Sequence, residues 1–292
     1  MVVRIVRFVT FVASFVLLAS SAWGWEGLFS QKVFSDPETG VTRHALFLRK
    51  DDGAVRQLTA DEEALGGASF SRDGKEIVFS ADGFLYVMND DGVNRRPYDL
   101  SGSNAQLTVD GALVFGAPEG NISKVWVRWA STGTRSLATG EFPDVSFDGK
   151  TIAYDNGAVF VVGIDGNRKR LVAEDGGYPK FLPNGDLVVL RDRAQPELWI
   201  VDPDGQREDD RLAVGGNHFV SADGWVVYGA IPKWGVPTKG WYATNPRTRE
   251  TRFLASGDDG RTYLSVRGNL ADSRAVEPRG KLSVRWAGLK RQ

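Results

Sequence analysis

The chain has 292 residues, with 36 Lys plus Arg, 37 Asp plus Glu, two His, no Cys and 34 Gly. Its 25% charged and 42% hydrophobic residues are typical of a globular protein and exclude a disordered chain. The net charge of −1 argues against a nucleic-acid partner, because neutralising phosphates needs a basic surplus, and zero cysteines exclude disulfides, thiolate nucleophiles and zinc fingers.

The first 22 residues have the three parts of a secretory signal peptide. Two arginines precede an apolar run over residues 8–19, and small residues then permit cleavage after Ala22 or Gly24. The apolar run is shorter than the roughly 20 residues of a membrane-spanning helix, so we expect no stable membrane insertion of the mature chain. An uncleaved anchor is the alternative. A secreted chain without cysteine suits a bacterial periplasm, and we predict a periplasmic or secreted protein.

A repeat of nearly constant length follows the signal peptide. In each copy a short apolar strand, an Asp-Gly or Asn-Gly turn and a second apolar strand succeed one another. The turn glycines are Gly74, Gly111, Gly149, Gly185 and Gly224, with Gly268 as a sixth candidate. An apolar residue precedes each glycine by four positions: Phe70, Leu107, Val145, Phe181, Val220 and Leu264. Because glycine accepts a positive φ without steric cost, such turns between apolar segments predict β-hairpins.

A second set of apolar triplets lies between these hairpins. Each triplet contains one aromatic residue: Phe47, Tyr86, Trp126, Phe160, Trp199 and Tyr242. A polar turn, usually Asp-Gly, and a basic or polar strand follow each triplet. Each period therefore contains four short strands and no helical periodicity.

Six repeats of four strands predict an all-β fold, a six-bladed β-propeller of four-stranded antiparallel blades over residues 30–268. The chain begins inside a blade, since VFS at 33–35 matches the end of IVFS at 77–80. We therefore expect residues 262–266 to supply the innermost strand of that blade, so that N- and C-terminal strands close the ring. Residues 269–292 are either a C-terminal tail or an extra strand. A linear stack of sheets is the competing architecture.

The motif F-S-x-D-G-K-x-I-x-F-S, followed by an aromatic triplet, D-G and R-x-L-T, resembles the repeat of the TolB-like (WD-type) propellers. Its best copies occupy residues 70–75 and 56–59. The resemblance implies a propeller, and TolB itself belongs to the periplasmic Tol–Pal envelope system. The chain is expected to lack the N-terminal α/β domain of TolB. Propellers of prolyl oligopeptidase-type peptidases share such blades, but the sequence has no G-x-S-x-G motif for a nucleophile.

The propeller topology gives two faces with different connections. Tight turns within the hairpins gather on one face, the turn face, which has little room to vary. Longer connections gather on the other, the loop face, and loops on a rigid scaffold usually carry binding. The long loops there are residues 116–124, 190–197 and 230–240. The candidate binding residues are Trp234, Asn104, Asp144, Tyr178, Lys180, Asn217, His218, Arg261, Arg191 and Arg193.

Two of these candidates have well-defined alternatives. Trp234 lies between two prolines and is either an exposed anchor for a partner or a plug folded back over its blade. His218 either binds a ligand, senses pH near neutrality, or only hydrogen-bonds a loop carbonyl. The remaining polar residues carry both charges, which suits a peptide or a glycan, although they could also line a water-filled channel.

The sequence favours a non-catalytic binding module, monomeric, that engages an envelope protein or peptide at the loop face. We assign no catalytic residue, metal or cofactor, because no nucleophile, phosphate-binding or metal-binding motif is present. The alternative is a carbohydrate-active enzyme in which Glu62, Glu141 and Asp144 supply an acid and a base. A carboxylate pair about 5 to 10 Å apart with one raised pKa would favour the enzyme.

Overall fold

The computed structural model describes residues 24–35, 42–60, 65–204, 206–207, 209–257, 261–268 and 270. Twenty-four β-strands and one short 3-10 helix, Pro232–Trp234, form in these ranges. The predicted signal peptide, the tail after Asn269 apart from Leu270, and Glu62 lie outside the described residues. Within the described part of the chain, no helix is long and apolar enough to cross a membrane.

The strands form six four-stranded antiparallel sheets, which confirms the predicted six-bladed propeller. Blade I contains β1 (Trp25–Ser35), β2 (Thr42–Lys50), β3 (Val55–Gln57) and β24 (Arg261–Gly268). Blade II contains β4 (Leu65–Phe70), β5 (Glu76–Ala81), β6 (Phe84–Asn89) and β7 (Arg96–Ser101). Blade III contains β8 (Ser103–Leu107), β9 (Leu113–Glu119), β10 (Ile122–Trp129) and β11 (Gly133–Thr139).

The other three blades repeat this order without interruption. Blade IV contains β12 (Glu141–Val145), β13 (Thr151–Asp155), β14 (Val159–Gly163) and β15 (Arg170–Ala173). Blade V contains β16 (Gly177–Phe181), β17 (Leu187–Asp192), β18 (Pro196–Val201) and β19 (Asp210–Val214). Blade VI contains β20 (Gly216–Val220), β21 (Val226–Ala230), β22 (Gly240–Thr244) and β23 (Thr251–Ser256). The first strand of each of these blades is the innermost, and β24 takes that place in blade I.

Blade I closes the ring by pairing the two ends of the chain. The C-terminal strand β24 runs antiparallel to β1, with Gly268 opposite Trp25, as the sequence predicts. The predicted register of β1, however, was wrong. Phe29 pairs with Phe47 in blade I as Phe79 pairs with Tyr86 in blade II, so the counterpart of residues 78–80 is 28–30 rather than 33–35. Both triplets read as an apolar residue followed by Phe-Ser, and only the pairing with β2 and β24 distinguishes them. The first blade accordingly begins at Trp25 rather than at residue 30.

The hydrophobic core lies between neighbouring blades. Six buried apolar clusters in the described chain each join two adjacent blades, including one that joins blade VI to blade I. In that last cluster Trp225 of blade VI packs with Phe29 and Val266 of blade I, and all three side chains are buried. Each fully buried side chain of this size contributes about 1.5–3 kcal/mol, so the cluster holds the closing blade in the ring.

The turns on the turn face share a chemical signature. In four of them a Ser or Thr three residues before the glycine accepts a hydrogen bond from a backbone N–H just beyond it: Ser71, Thr108, Ser146 and Ser221. The same hydroxyl donates to the intervening Asp, at 2.8 Å for Asp73 and 2.6 Å for Asp148. These serine hydrogen bonds are the main cause that lowers the pKa of both carboxyls, and hydrogen bonds from backbone N–H groups are the second cause. The turn of blade V differs, because Leu182 replaces the hydroxyl residue.

Candidate functional site

The innermost strands begin on the loop face with an unusual backbone conformation. In three blades the residue three positions before the repeated apolar residue has a positive φ although it is not glycine. The φ angles are 50° at Asn104, 50° at Phe142 and 51° at Tyr178. At each position the inner strand shifts register against its neighbour. Such a bulge redirects a side chain, and a left-handed non-glycine residue costs about 1–2 kcal/mol. The backbone is therefore strained where these three side chains approach the channel.

A cavity of about 280 Å³ lies at this mouth of the channel. It brings together five residues that the sequence predicted as a site: Asn104, Tyr178, Lys180, Asn217 and His218. Ser69, Gln106, Phe142 and Phe219 also line it, together with small and aliphatic residues. The loop-face cavity, as we call it, is therefore partly polar and partly aromatic.

Phe142 was missed by the sequence interpretation. Its ring lies 4.2 Å from that of Tyr178, centroid to centroid, with the planes tilted by 36°. Tyr178 is 44% exposed, which is unusual for a large aromatic side chain held by a strained backbone. The repeat contained the signal, because Phe142 precedes Val145 by the same three residues that separate Asn104 from Leu107 and Tyr178 from Phe181.

Asp144, a predicted binding residue and candidate catalytic carboxylate, is only 6% exposed. Its Oδ1 accepts hydrogen bonds from Gln106 Nε2 at 2.6 Å and Lys180 Nζ at 3.3 Å. Its Oδ2 accepts one from the backbone N–H of Phe181 at 2.8 Å. These partners come from blades III and V, so Asp144 connects three adjacent blades, and it lies behind Lys180 rather than in the cavity lining.

His218 is 6% exposed and lies beside this connection. Its Nε2 is 3.4 Å from the carbonyl oxygen of Val188 in β17, so it contacts a strand carbonyl rather than a loop carbonyl. Its buried Nδ1 has no hydrogen-bond partner among the described residues. Burial is the main cause that lowers the pKa of His218 to about 4, and Lys180 lowers it further. The Val188 carbonyl and Asp144 act in the opposite direction.

Trp234 lies in the 3-10 helix of the long blade VI loop, which ends at Gly235 in a left-handed conformation. Its half-buried side chain packs against the apolar cluster between blades V and VI, which includes Val188 and Tyr228. The structure thus places Trp234 against its own fold, which matches the plug alternative, and outside the lining of the loop-face cavity.

The three predicted arginines lie away from the loop-face cavity or outside the described side chains. Arg191 is buried over the Trp199 ring, 4.7 Å from its centroid, with Nε 3.1 Å from Asp175 Oδ1. Arg193 Nη2 donates to Asp175 Oδ2 at 2.8 Å. The Arg193 hydrogen bond, aided by the charge of Arg191, lowers the pKa of Asp175. Arg261 begins β24, but its side chain lies outside the described set.

A cavity of about 760 Å³ lies at the opposite end of the channel, beside the pairing of β1 with β24. The expectation that the turn face has little room to vary misses this cavity, which turn residues such as Asp73 and Phe147 line together with residues of β1 and β24. Its two arginines are already engaged. Arg72 stacks on Phe147 at 4.2 Å and donates to the Val145 carbonyl. Arg267 stacks on Phe70 at 4.6 Å and pairs with acidic groups of blades I and II.

The acidic side chains form no metal cluster in the part of the chain that the structure describes. Among those residues no group of three or more His, Asp or Glu is placed to hold an ion. The carboxyls with a shifted pKa, Asp73, Asp148, Asp165, Asp175 and Asp202, are all shifted downward by hydrogen bonds or nearby cations.

Comparison with known proteins identifies the fold. No protein-family model and no curated protein sequence matches the chain. Among solved structures, a putative TolB from Agrobacterium tumefaciens superposes with a TM-score of 0.58 and 15% identity, covering 85% of this chain and 99% of that one. The chain has a TolB-like propeller fold.

Structures with other names have comparable TM-scores. A chain of a nidogen/laminin complex has a TM-score of 0.58 at 10% identity, covering 84% of this chain and 98% of that one. An oligogalacturonate lyase from Vibrio parahaemolyticus has a TM-score of 0.54 at 14% identity and covers 82% of each chain. At such identities the similarity concerns the fold, and function has to be argued from the site.

Proposed function

We propose that this TolB-like propeller is a non-catalytic, periplasmic or secreted binding module that engages a protein or peptide at its loop face. The observation that carries this proposal is the aromatic pair of Phe142 and Tyr178 at the channel mouth. Left-handed backbone at bulky residues persists only where the surrounding structure holds it, and such strain concentrates at functional positions. An exposed tyrosine beside a cavity is also a common anchor for a partner.

The size of the loop-face cavity indicates what part of a partner enters it. At about 280 Å³ it is slightly smaller than most ligand pockets. A single side chain or the end of a peptide fits such a volume, whereas a folded domain can contact only the surrounding loops. The proposed partner therefore inserts an extended segment.

The carbohydrate-active alternative has weaker support from the described residues. Asp144 is buried with three hydrogen-bond donors, so its carboxylate is committed to joining blades. Glu141 is exposed at the start of β12, and Glu62 lies outside the described residues. We therefore keep glycan binding as a contrasting outcome of the experiment below.

Selection of binding peptides tests the proposal. A random peptide library is panned against the mature chain, and the affinities of selected peptides are measured for Tyr178→Gly and for Phe84→Ser as a matched control. Phe84 is 52% exposed in blade II, outside the lining of the loop-face cavity. We expect a loss of about tenfold or more for Tyr178→Gly and little change for Phe84→Ser.

Two results would contradict a peptide-binding role. One is a failure to select any peptide, and the other is a set of peptides that bind Tyr178→Gly as tightly as wild type. Binding of oligosaccharides that depends on Tyr178 would then favour the glycan alternative. Secretion is tested separately by fractionation and N-terminal sequencing, with Trp23 or Trp25 expected as the first residue of the mature chain.

A further inference from the structure

One variable position of the repeated turn lines the cavity of about 760 Å³ at the turn face, which we call the turn-face cavity. This position lies two residues before each of the six repeated glycines. Five of the six residues found there line the cavity: Arg72, Val109, Phe147, Ala222 and Val266. Four of the five are apolar, and Arg72 alone is charged. The repeat therefore keeps the turn while this position sets the chemistry of the channel end.

Arg72 extends from blade II to blade IV. Its Nη2 donates to the Val145 carbonyl, and its Cζ lies 4.2 Å from the centroid of the Phe147 ring. The guanidinium is thus held by a hydrogen bond and by stacking between the two blades that flank blade III. In blade III the side chain of Val109 is 73% exposed at the same cavity.

Arg72 contacts no carboxylate among the described residues. The other two basic residues of the cavity lining are paired with acids. Lys50 Nζ lies 3.7 Å from Glu26 Oε1, and Arg267 bonds to Glu26 and to Asp90. A guanidinium has five N–H donors, and only one of those of Arg72 has an acceptor in the described chain. A half-buried guanidinium with N–H groups left for a ligand favours a carboxylate.

The acidic residues of the lining do not supply that carboxylate. Asp73 accepts hydrogen bonds from the Ser71 hydroxyl at 2.8 Å and from the backbone N–H of Lys75 at 3.2 Å. Asp51 and Asp52 lie in the turn between β2 and β3, the two outer strands of blade I, whereas the guanidinium lies at blade IV. The cavity therefore has a paired, polar side at blade I and an unpaired cation beside apolar residues at blades III and IV.

We propose that the turn-face cavity binds an organic acid that carries an apolar group. The carboxylate accepts hydrogen bonds from the Arg72 guanidinium, and the apolar group packs on Phe147 and Val109. A volume of about 760 Å³ is within the range of ligand pockets, about 300–1,000 Å³. The site is separate from the one proposed above, because the two cavities share no lining residue in the described chain. A free acid and the C-terminal residue of a peptide both offer this chemistry.

Probes that share one phenyl group and differ in charge test the proposal. Hydrocinnamate is the acid, hydrocinnamamide is its neutral analogue, phenylpropylamine is a cation, and acetate offers the carboxylate alone. Calorimetric titration should show hydrocinnamate binding about tenfold or more tightly than each of the other three. Nuclear Overhauser contacts from its ring to the Val109 methyl groups, which a Val109→Ala variant assigns, should place it in the turn-face cavity.

Three variants test the role of Arg72. Arg72→Met keeps the aliphatic stem and removes the cation, so it should weaken hydrocinnamate by about tenfold or more. Val109→Asp adds a negative charge at an exposed position of the cavity and should weaken the acid by about threefold or more. The matched control is Lys75→Met, which removes a cation that is 81% exposed and outside the cavity lining, and should change little. Thermal unfolding confirms that each variant is folded, and Val109→Asp decides if Arg72→Met does not fold.

The source of the carboxylate is tested with N-acetyl-glycyl-phenylalanine. If this peptide binds more tightly than hydrocinnamate and requires Arg72, the site recognises a peptide C-terminus. If it binds equally or more weakly, the site recognises a free acid.

Four results would overturn the proposal. They are no binding of hydrocinnamate, equal binding of the amide or the amine, equal losses for Arg72→Met and Lys75→Met, and ring contacts to Phe142 or Tyr178 in place of Val109. Peptides selected at the loop face should bind Arg72→Met as tightly as wild type. Their dependence on Tyr178 therefore tests the proposed function independently of this site.

Discussion

The two ends of the central channel use the same backbone conformation for different purposes. At the turn face the first hairpin of each of blades II to VI has a left-handed glycine, such as Gly74 with a φ of 72°, and hydroxyl–carboxylate pairs close four of these five turns. At the loop face the left-handed residues include Phe142 and Tyr178, which gain no such closing bond from their side chains. The turn face therefore satisfies its polar groups within the hairpins. The loop face keeps backbone strain, an exposed tyrosine ring and the buried His218 Nδ1, which has no partner among the described residues.

The largest expected difference between the two ends is their response to pH. The pKa of His218 falls from its ordinary 6.5 to about 4 in the folded state, so the unfolded chain binds the proton more readily between these values. The free energy of unfolding should therefore drop as the pH falls through this window, by up to about 3 kcal/mol. His218→Leu should lose this dependence, as measured by urea unfolding at several pH values.

Turn-face carboxyls should respond in a different window. The pKa values of Asp73 and Asp148 lie below the ordinary 3.8, so the stability they contribute is lost only as the pH falls below that value. The His218 prediction is contradicted if the free energy of unfolding changes equally with pH in wild type and His218→Leu between about pH 6.5 and pH 4.

Removing the ring-closing arginine should have the next largest effect. Arg267 bonds to Glu26 Oε2 through Nε at 2.8 Å and to Asp90 Oδ2 through Nη2 at 2.9 Å, which joins blades I and II. Because these groups are partly buried, Arg267→Met should lower the free energy of unfolding by about 2 kcal/mol. The control is Arg96→Met, whose exposed pair with Glu76 at 2.7 Å should contribute less than about 1 kcal/mol. If urea titrations give equal losses of stability for Arg267→Met and Arg96→Met, the contacts of Arg267 at the ring closure contribute no more than an exposed ion pair.

A single turn-face hydroxyl should contribute less than the closing arginine. Ser146 accepts the Thr151 N–H at 2.9 Å and donates to Asp148 at 2.6 Å, and its side chain is buried. Ser146→Ala leaves that N–H unpaired and should cost about 1–2 kcal/mol. Asn217→Ala on the loop face should change stability by less than about 0.5 kcal/mol. If chemical unfolding shows that Asn217→Ala loses more stability than Ser146→Ala, polar side chains at the loop face contribute more to stability than those at the turn face, contrary to this prediction.

The smallest expected changes in stability come from exchanging glycine and non-glycine residues at left-handed positions of the two ends. Tyr178→Gly relieves the left-handed strain but loses the contact with the Phe142 ring, so stability should stay equal or rise by up to about 1 kcal/mol. Gly149→Ala places a Cβ at a φ of 75°, where the nearest atom, Thr108 Cβ, is 3.8 Å away. Because no clash results, only the strained backbone conformation lowers the free energy of unfolding, by about 1 kcal/mol. Calorimetric melting compares the two variants. A clear loss of stability for Tyr178→Gly would show that its ring has a structural role.

The sequence alone determined the repeat and the ring. Turn glycines, alternating apolar residues and one aromatic per triplet act over a few neighbouring residues, so they can be recognised without a structure and predict six blades of four strands. Even the C-terminal strand that closes blade I followed from counting strands. The register of β1 did not, because Leu28-Phe29-Ser30 and residues 33–35 have the same local pattern.

The packing of the blades around the channel sets which candidate residues line the loop-face cavity. Asp144 and Arg191 are polar residues at the expected positions, but partners 16 or more residues away bury and occupy them. Trp234 packs on a core cluster that two blades build together. His218 owes its lowered pKa to burial and to the charge of Lys180 in the neighbouring blade. Burial and hydrogen-bond satisfaction depend on which blades are adjacent in space, and that information is absent from the local sequence pattern.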